Sequence, residues 1–210
     1  MPLDTIPDWR QRRRDAILAA AAELFARKPY HDVQVDDVAK QAGVGKATLY
    51  RYFPSKEELY LHSFDAALAR LEERLHARPP AQPSGTASPE EVLACKVRAL
   101  LTTFTEQLPA LKVLGGDHSH LAERMRVVLR RRTSRIAAAL REVLEAGMAA
   151  GRFRRVDTEM TPLLIIGMAR GAVMMADDDS PERLEAAILD LVLKGTLAGP
   201  AGDGAGSCCS

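Results

Sequence analysis

Apolar residues recur at helical spacing along this 210-residue chain, and no stretch alternates apolar with polar in the manner of a strand. That pattern restricts the molecule to an all-α fold of about nine helices. The punctuation agrees. A first helix runs from about Asp8 to Arg27, with Ile17, Ala21, Leu24 and Phe25 on one face, and Pro29 follows where a proline cannot continue it. Ser55-Lys56-Glu57-Glu58 reads as a capping box opening a helix with a Leu61, Phe64, Leu68, Leu71, Leu75 stripe. The Pro/Gly/Ser stretch 79–87 is loop, after which Ser88-Pro89 restarts a helix that reaches about Leu108. A short apolar piece, Leu111 to Leu114, precedes Gly115-Gly116. A long helix from Ser119 to Gly151 comes next, then one opened by Asp157 and running from Met160 to Ala176. Ser180-Pro181-Glu182 caps the last, and the Gly/Ser-rich tail 198–210 is expected to be disordered.

Two short segments near the N-terminus carry the most chemistry. Val35, Val38, Ala39 and Ala42 lie at i, i+3, i+4 and i+7; a turn through Gly43-Val44-Gly45 comes after them. The next helix, Lys46-Ala47-Thr48-Leu49-Tyr50-Arg51-Tyr52, holds two cations, a hydroxyl and two phenols, with no acid. Two short helices joined by a glycine-containing turn make a helix-turn-helix, whose second helix enters the DNA major groove. Lys46 and Arg51 are suited to phosphates or to guanine O6/N7, and Thr48 to a phosphate or a thymine methyl. Tyr50 and Tyr52 offer phenolic hydroxyls to the backbone, and Lys56 offers an anchor at the next helix start, where free amides add donors for an anion. Leu49 and Phe53 read as the small core of the motif. Arg12, Arg13 and Arg14 are candidate backbone contacts from the first helix, or simply a solvated basic arm.

Charge is uneven in the direction this requires. The formal net charge is only +1, yet residues 1–56 hold ten Lys/Arg against seven Asp/Glu. Three cysteines, Cys95, Cys208 and Cys209, make neither a disulfide framework nor a spaced metal site, and Cys95 is expected to be a small core residue. No N-terminal apolar leader precedes the arginine run, and the most apolar stretch, Leu163 to Ala176, is too short for a bilayer and carries Arg170. A cytoplasmic protein without cofactor is expected. Asp117, His118, His120 and Glu123 are of metal-ligating type, but residues beside a Gly-Gly turn and a helix start read as solvent-facing.

Taken as a unit, Val33 to Lys56, with Ser55-Lys56-Glu57-Glu58-Leu59 beyond it, resembles the TetR family of bacterial transcriptional regulators. The detailed resemblance covers the first quarter of the chain; further on, only helix number and the closing Gly-Arg-Phe, helix, helix order fit. It implies a helix-turn-helix DNA-binding domain over 1–56 and a helical effector-binding and dimerisation domain over 57–197. It also implies a homodimer whose last two helices form a four-helix bundle, a ligand cavity within each subunit, and release from a palindromic operator on effector binding. Lys46, Ala47, Thr48, Tyr50, Arg51, Tyr52 and Lys56, with Arg13 and Arg14, are then the DNA-contacting set. Some positions depart from the family pattern: Gly45 stands where Ser often caps the third helix, Gln34 where Ser or Thr often caps the second, and Pro29 where Gly is common. Pro162 lies early in its helix and should kink it or mark its first turn.

The Met160–Ala176 helix is apolar on nearly every side, which a monomer's surface helix does not tolerate. Leu164, Gly167, Gly171, Met174, Leu184, Ile188 and Leu191 are therefore candidates for the dimer interface, with an intrachain buried helix as the alternative. For an effector, Phe64, Leu68, Phe104, Leu108, Leu111, Met125, Leu129 and Met168 are cavity candidates that serve equally well as plain core, and Arg170 is a candidate for an anionic group. A hydrophobic small molecule suits such a lining. The chain carries no P-loop, nucleophile elbow, HExxH or dinucleotide fingerprint. A helical small-molecule-binding protein or enzyme with no DNA function remains the other reading.

Overall fold

The computed structural model describes residues 8–77, 87–107, 120–175 and 181–197. Among them stand eight α-helices and no strand beyond a single residue bridge, Phe153 with Leu197. The ninth expected helix, Leu111 to Leu114, and the tail 198–210 lie outside the described residues.

Helix α1 spans Asp8–Arg27 and buries Ile17, Leu18, Ala20, Ala21 and Phe25. A 3-10 turn at Tyr30–Asp32 leads into α2, Val35–Gln41, and α3, Lys46–Tyr52. Neither of these short helices has a side-chain cap, since Gln34 and Gly45 make none. What holds the turn between them is Gly43, at φ 65°, which lets the Val44 amide reach the Ala39 carbonyl at 2.9 Å. Short helices of this kind are marginal alone; Val35, Val38, Ala39, Leu49 and Phe53 fasten them into the core that Ile17, Ala21 and Phe25 of α1 share.

Helix α4, Lys56–His76, runs through the molecule, packing on α1 at its start and on the body beyond. The Ser55 hydroxyl accepts from the Glu58 amide at 3.1 Å, but the expected reciprocal half of the box is missing. The Glu58 carboxylate instead accepts from Arg124 at 2.7 Å, a charge-assisted bond that outcompetes a backbone amide. At α5, Pro89–Glu106, the box is complete: Glu91 accepts from the Ser88 amide and its own amide donates to the Ser88 hydroxyl. The α5 stripe is Leu93, Ala94, Val97, Leu100, Leu101 and Phe104, which turns Cys95 outward; the thiol is exposed and not core.

Helix α6, His120–Ala149, ends at Gly151, at φ 68°. The chain doubles back so that the Phe153 ring lies on Gly147, where a Cβ would overlap the ring. Arg154 then donates its amide to the Thr196 carbonyl at 2.9 Å, tying this turn to the end of the last helix. Asp157 caps α7, Met160–Met175, by accepting from the Glu159 and Met160 amides, both at 2.9 Å. Pro162 falls in that first turn and kinks nothing. Helix α8, Pro181–Thr196, packs on α5 and α7. No described helix is long and apolar enough to cross a membrane.

Candidate nucleic-acid interface

The face of α3 sorts its residues as helical geometry demands. Leu49, and Phe53 just beyond, are fully buried. Lys46, Ala47, Tyr50 and Arg51 are exposed, while Thr48 and Tyr52 are half-buried, Tyr52 against the core. Arg51 therefore faces solvent, and Tyr52 lies beneath its guanidinium, 5.9 Å from ring centroid to the arginine carbon.

Two of the cations are held by the chain itself. Lys46 Nζ sits 2.8 Å from Asp36 Oδ1 on α2; that hydrogen bond, then the charge of Asp36, raises its pKa. Lys56 Nζ donates to the His31 carbonyl at 3.2 Å and lies 4.6 Å from the Tyr30 ring centre, and burial lowers its pKa. Arg13 is exposed, but Arg14 turns inward. Its guanidinium stands 5.4 Å over the Phe53 ring and 3.3 Å from His62 Nδ1 on α4, so it braces α1 against α4 where an outward backbone contact was expected. Burial, and then the Arg14 charge, push the His62 imidazole below its usual pKa.

Sequence reading missed Trp9. It is 51% exposed and, with Arg10, Arg51 and Tyr52, lines a cleft where the start of α1 meets the end of α3. The signal was present: a lone indole directly before an arginine run.

Behind this face α4 is clamped to α6. Arg132 holds Asp65 with both arms of its fork, at 2.8 and 2.9 Å, and reaches Glu72 at 2.8 Å. Hydrogen bonds from Arg132, opposed in part by burial, keep the Asp65 carboxyl below the usual carboxylate range. Arg131 adds a second donor to Asp65 at 2.9 Å. The clamp fixes the middle of α4 to α6.

Among the described effector candidates, burial divides the set. Phe64, Leu68, Phe104 and Met125 are 0–1% exposed and pack as core. Leu129, Met168 and Arg170 are part-buried, and Leu108 and Leu111 lie outside the described residues. Open clefts occur elsewhere, one between α4 and α6 at Leu61, His62, Arg124 and Val127, another between α5 and α8 at Leu101, Thr105 and Leu184. Of the metal candidates, exposed His120 pairs with Glu57 and Glu123 with Arg126, and Asp117 and His118 lie outside the described residues.

The proposed interface residues divide in two. Leu164 is 64% and Leu191 60% exposed; Leu163, Gly167 and Met160 are exposed as well, and Gly171, Met174 and Leu184 partly so. Ile188, by contrast, is 4% exposed and packs in the core of its own chain.

Family models, curated relatives and solved structures all bear on this chain. Residues 17–62 match the family model of the bacterial regulatory proteins of the tetR family, and residues 86–196 match the tetracyclin repressor-like C-terminal domain. The HTH-type transcriptional activator FasR of Mycolicibacterium smegmatis is 48% identical over 52 residues, a stretch that is 25% of this chain and only 24% of that relative's length. YhgD of Bacillus subtilis, an HTH-type transcriptional regulator, is 27% identical over 155 residues, 73% of this chain and 78% of its own. Among solved structures, a TetR/AcrR-family transcriptional regulator from Thermobifida fusca superposes with a TM-score of 0.67 at 27% identity, over 87% of this chain and 97% of that one.

Proposed function

The chain belongs to the TetR family of bacterial regulatory proteins, and on that premise we propose that it is a sequence-specific DNA-binding transcriptional regulator. It acts in the cytoplasm as a homodimer that occupies a palindromic operator and represses until a small hydrophobic effector releases it. The observation that carries this reading is the outward face of α3: Lys46, Ala47, Thr48, Tyr50 and Arg51 share it, with no carboxylate on the helix itself.

One such face reads only a few base pairs, so useful affinity requires two. A two-fold dimer sets its recognition helices about one DNA turn apart, ~34–36 Å. The surface for that pairing is the apolar side of α7 and α8, where Leu163, Leu164 and Leu191 stand in solvent in the single chain. Gly167 and Gly171 support it further: a Cβ at either would meet nothing within 4 Å in its own chain, so no intrachain contact asks for glycine there. Small residues on an apolar helix suit close approach of a second copy.

Fluorescence anisotropy with DNA from upstream of the protein's own gene, beside a scrambled duplex at equal salt, tests the reading. Tight binding to the first alone is expected. Equal weak binding to both, from protein freed of any co-purified ligand by unfolding and refolding, would count against it.

A further inference from the structure

We propose that the cleft between the start of α1 and the end of α3 seats one phosphate of the DNA backbone, gripped by Arg10 and Arg51, with Trp9 packed on the adjoining sugar. This rests on the DNA-binding reading and extends it to residues and a role outside the helix-turn-helix. Four side chains line the cleft, Trp9, Arg10, Arg51 and Tyr52, brought together from positions some forty residues apart. None is acidic.

Each cation is already positioned. The Arg10 guanidinium carbon lies 5.1 Å from the Trp9 ring centre and that of Arg51 5.9 Å from Tyr52. A guanidinium stacked on a ring keeps its in-plane N–H donors free, so the face is held while the edge stays available to an anion. Among the described residues neither arginine has a carboxylate partner. Lys46, Lys56 and Arg14 differ: Asp36, the His31 carbonyl and His62 engage them. Where those cations must change partner to meet DNA, Arg10 and Arg51 need only lose water.

Position decides the occupant. The N-terminal residues of a recognition helix meet base edges, so its C-terminal end faces the flanking strand. Arg51 lies in the last turn of α3, beside the first turn of α1. That places it at the sugar-phosphate wall, and of the two roles open to it, phosphate and guanine, the cleft selects phosphate. Trp9, half exposed, offers an apolar face to deoxyribose and its Nε1–H to a phosphate oxygen.

The test uses the full chain and its operator, with Arg10→Ala and Arg51→Ala made singly. Both sites are exposed, so unchanged circular dichroism should accompany each. Each variant is expected to weaken binding by the same factor on the operator and on single-base variants of it. Each should also lower the slope of log K against log salt by about 1. Trp9, the chain's single tryptophan, should lose acrylamide quenching when operator binds, because the duplex covers it. Unchanged affinity and slope in Arg10→Ala, with wild type binding normally, overturns the cleft alone. So does an Arg51→Ala variant that tolerates one particular base change, since that marks a base reader. Unchanged Trp9 quenching on saturation overturns the sugar contact. A wild-type chain that binds no DNA overturns the DNA-binding reading itself, and the cleft with it.

Discussion

Two solvent-facing surfaces of this molecule differ in kind. The α3 face with the start of α1 displays cations and phenols; the outer side of α7 and α8 displays leucines, with Leu164 and Leu191 at 64% and 60% exposure. An exposed arginine costs a folded chain nothing, so the first surface is stable with or without DNA. Exposed contiguous leucine is different, because water disfavours it continuously. The second surface therefore calls for permanent cover, and the first for an occasional partner. One is suited to an obligate interface, the other to a reversible one.

The largest effect should come from breaking the permanent surface. Leu164→Glu with Leu191→Glu is expected to give a folded monomer by sedimentation, and to weaken operator binding by about a hundredfold or more as the second half-site is lost. A variant that stays dimeric would move the interface elsewhere. Next is the reversible surface: Lys46→Ala with Thr48→Ala should leave the dimer intact and reduce operator affinity by about ten- to a hundredfold in anisotropy titrations. Full affinity in that pair would remove α3 as the reading helix.

The clamp between α4 and α6 ranks third. Arg132 is only 13% exposed and serves Asp65 and Glu72, both themselves mostly covered. Arg132→Met should cost about 2 kcal/mol in urea unfolding, since two carboxylates lose their better donor. An unchanged midpoint would mean that Arg131 and Arg135 take over the load. Smallest is a pH effect at His62, which faces Phe53, Arg14, Glu58, Asp65 and Arg124. Its pKa is lowered in the folded chain, so below the usual imidazole value the unfolded chain binds more protons and stability falls with pH. Urea midpoints at pH 7.5 and 5.5 should differ less in His62→Gln than in wild type. Equal differences would leave the imidazole without influence on the stability of the chain.

What could be read from the sequence was local. Ser88, Asp157 and Pro162 lie within a few residues of the groups they serve, and the Gly43 turn needs no distant partner. The α3 face likewise comes from spacing alone. What escaped was set by partners far along the chain. Arg14 turns inward because His62 and Phe53 wait there; Glu58 abandons its capping role because Arg124 arrives on α6. Ile188 and Leu191 sit three apart on one apolar stripe, and periodicity cannot tell which the chain covers itself and which it leaves bare. Cys95 shows the same limit, its neighbour Ala94 being buried while it is not. The cavity candidates are also the best core positions, and core is where the structure keeps Phe64, Leu68, Phe104 and Met125.

The ion pair between Lys46 and Asp36 makes α2 a rival of the DNA. On the proposed interface, a Lys46 that turned to a phosphate would leave Asp36 unpaired beside a polyanion, where it draws cations from solution as the DNA gives one up. That uptake offsets part of the release, so Lys46 should add less to salt sensitivity than Arg10 and Arg51 do. At that proposed interface, the carboxylate on α2 thereby offsets part of what Lys46 would gain from DNA, close fit or loose.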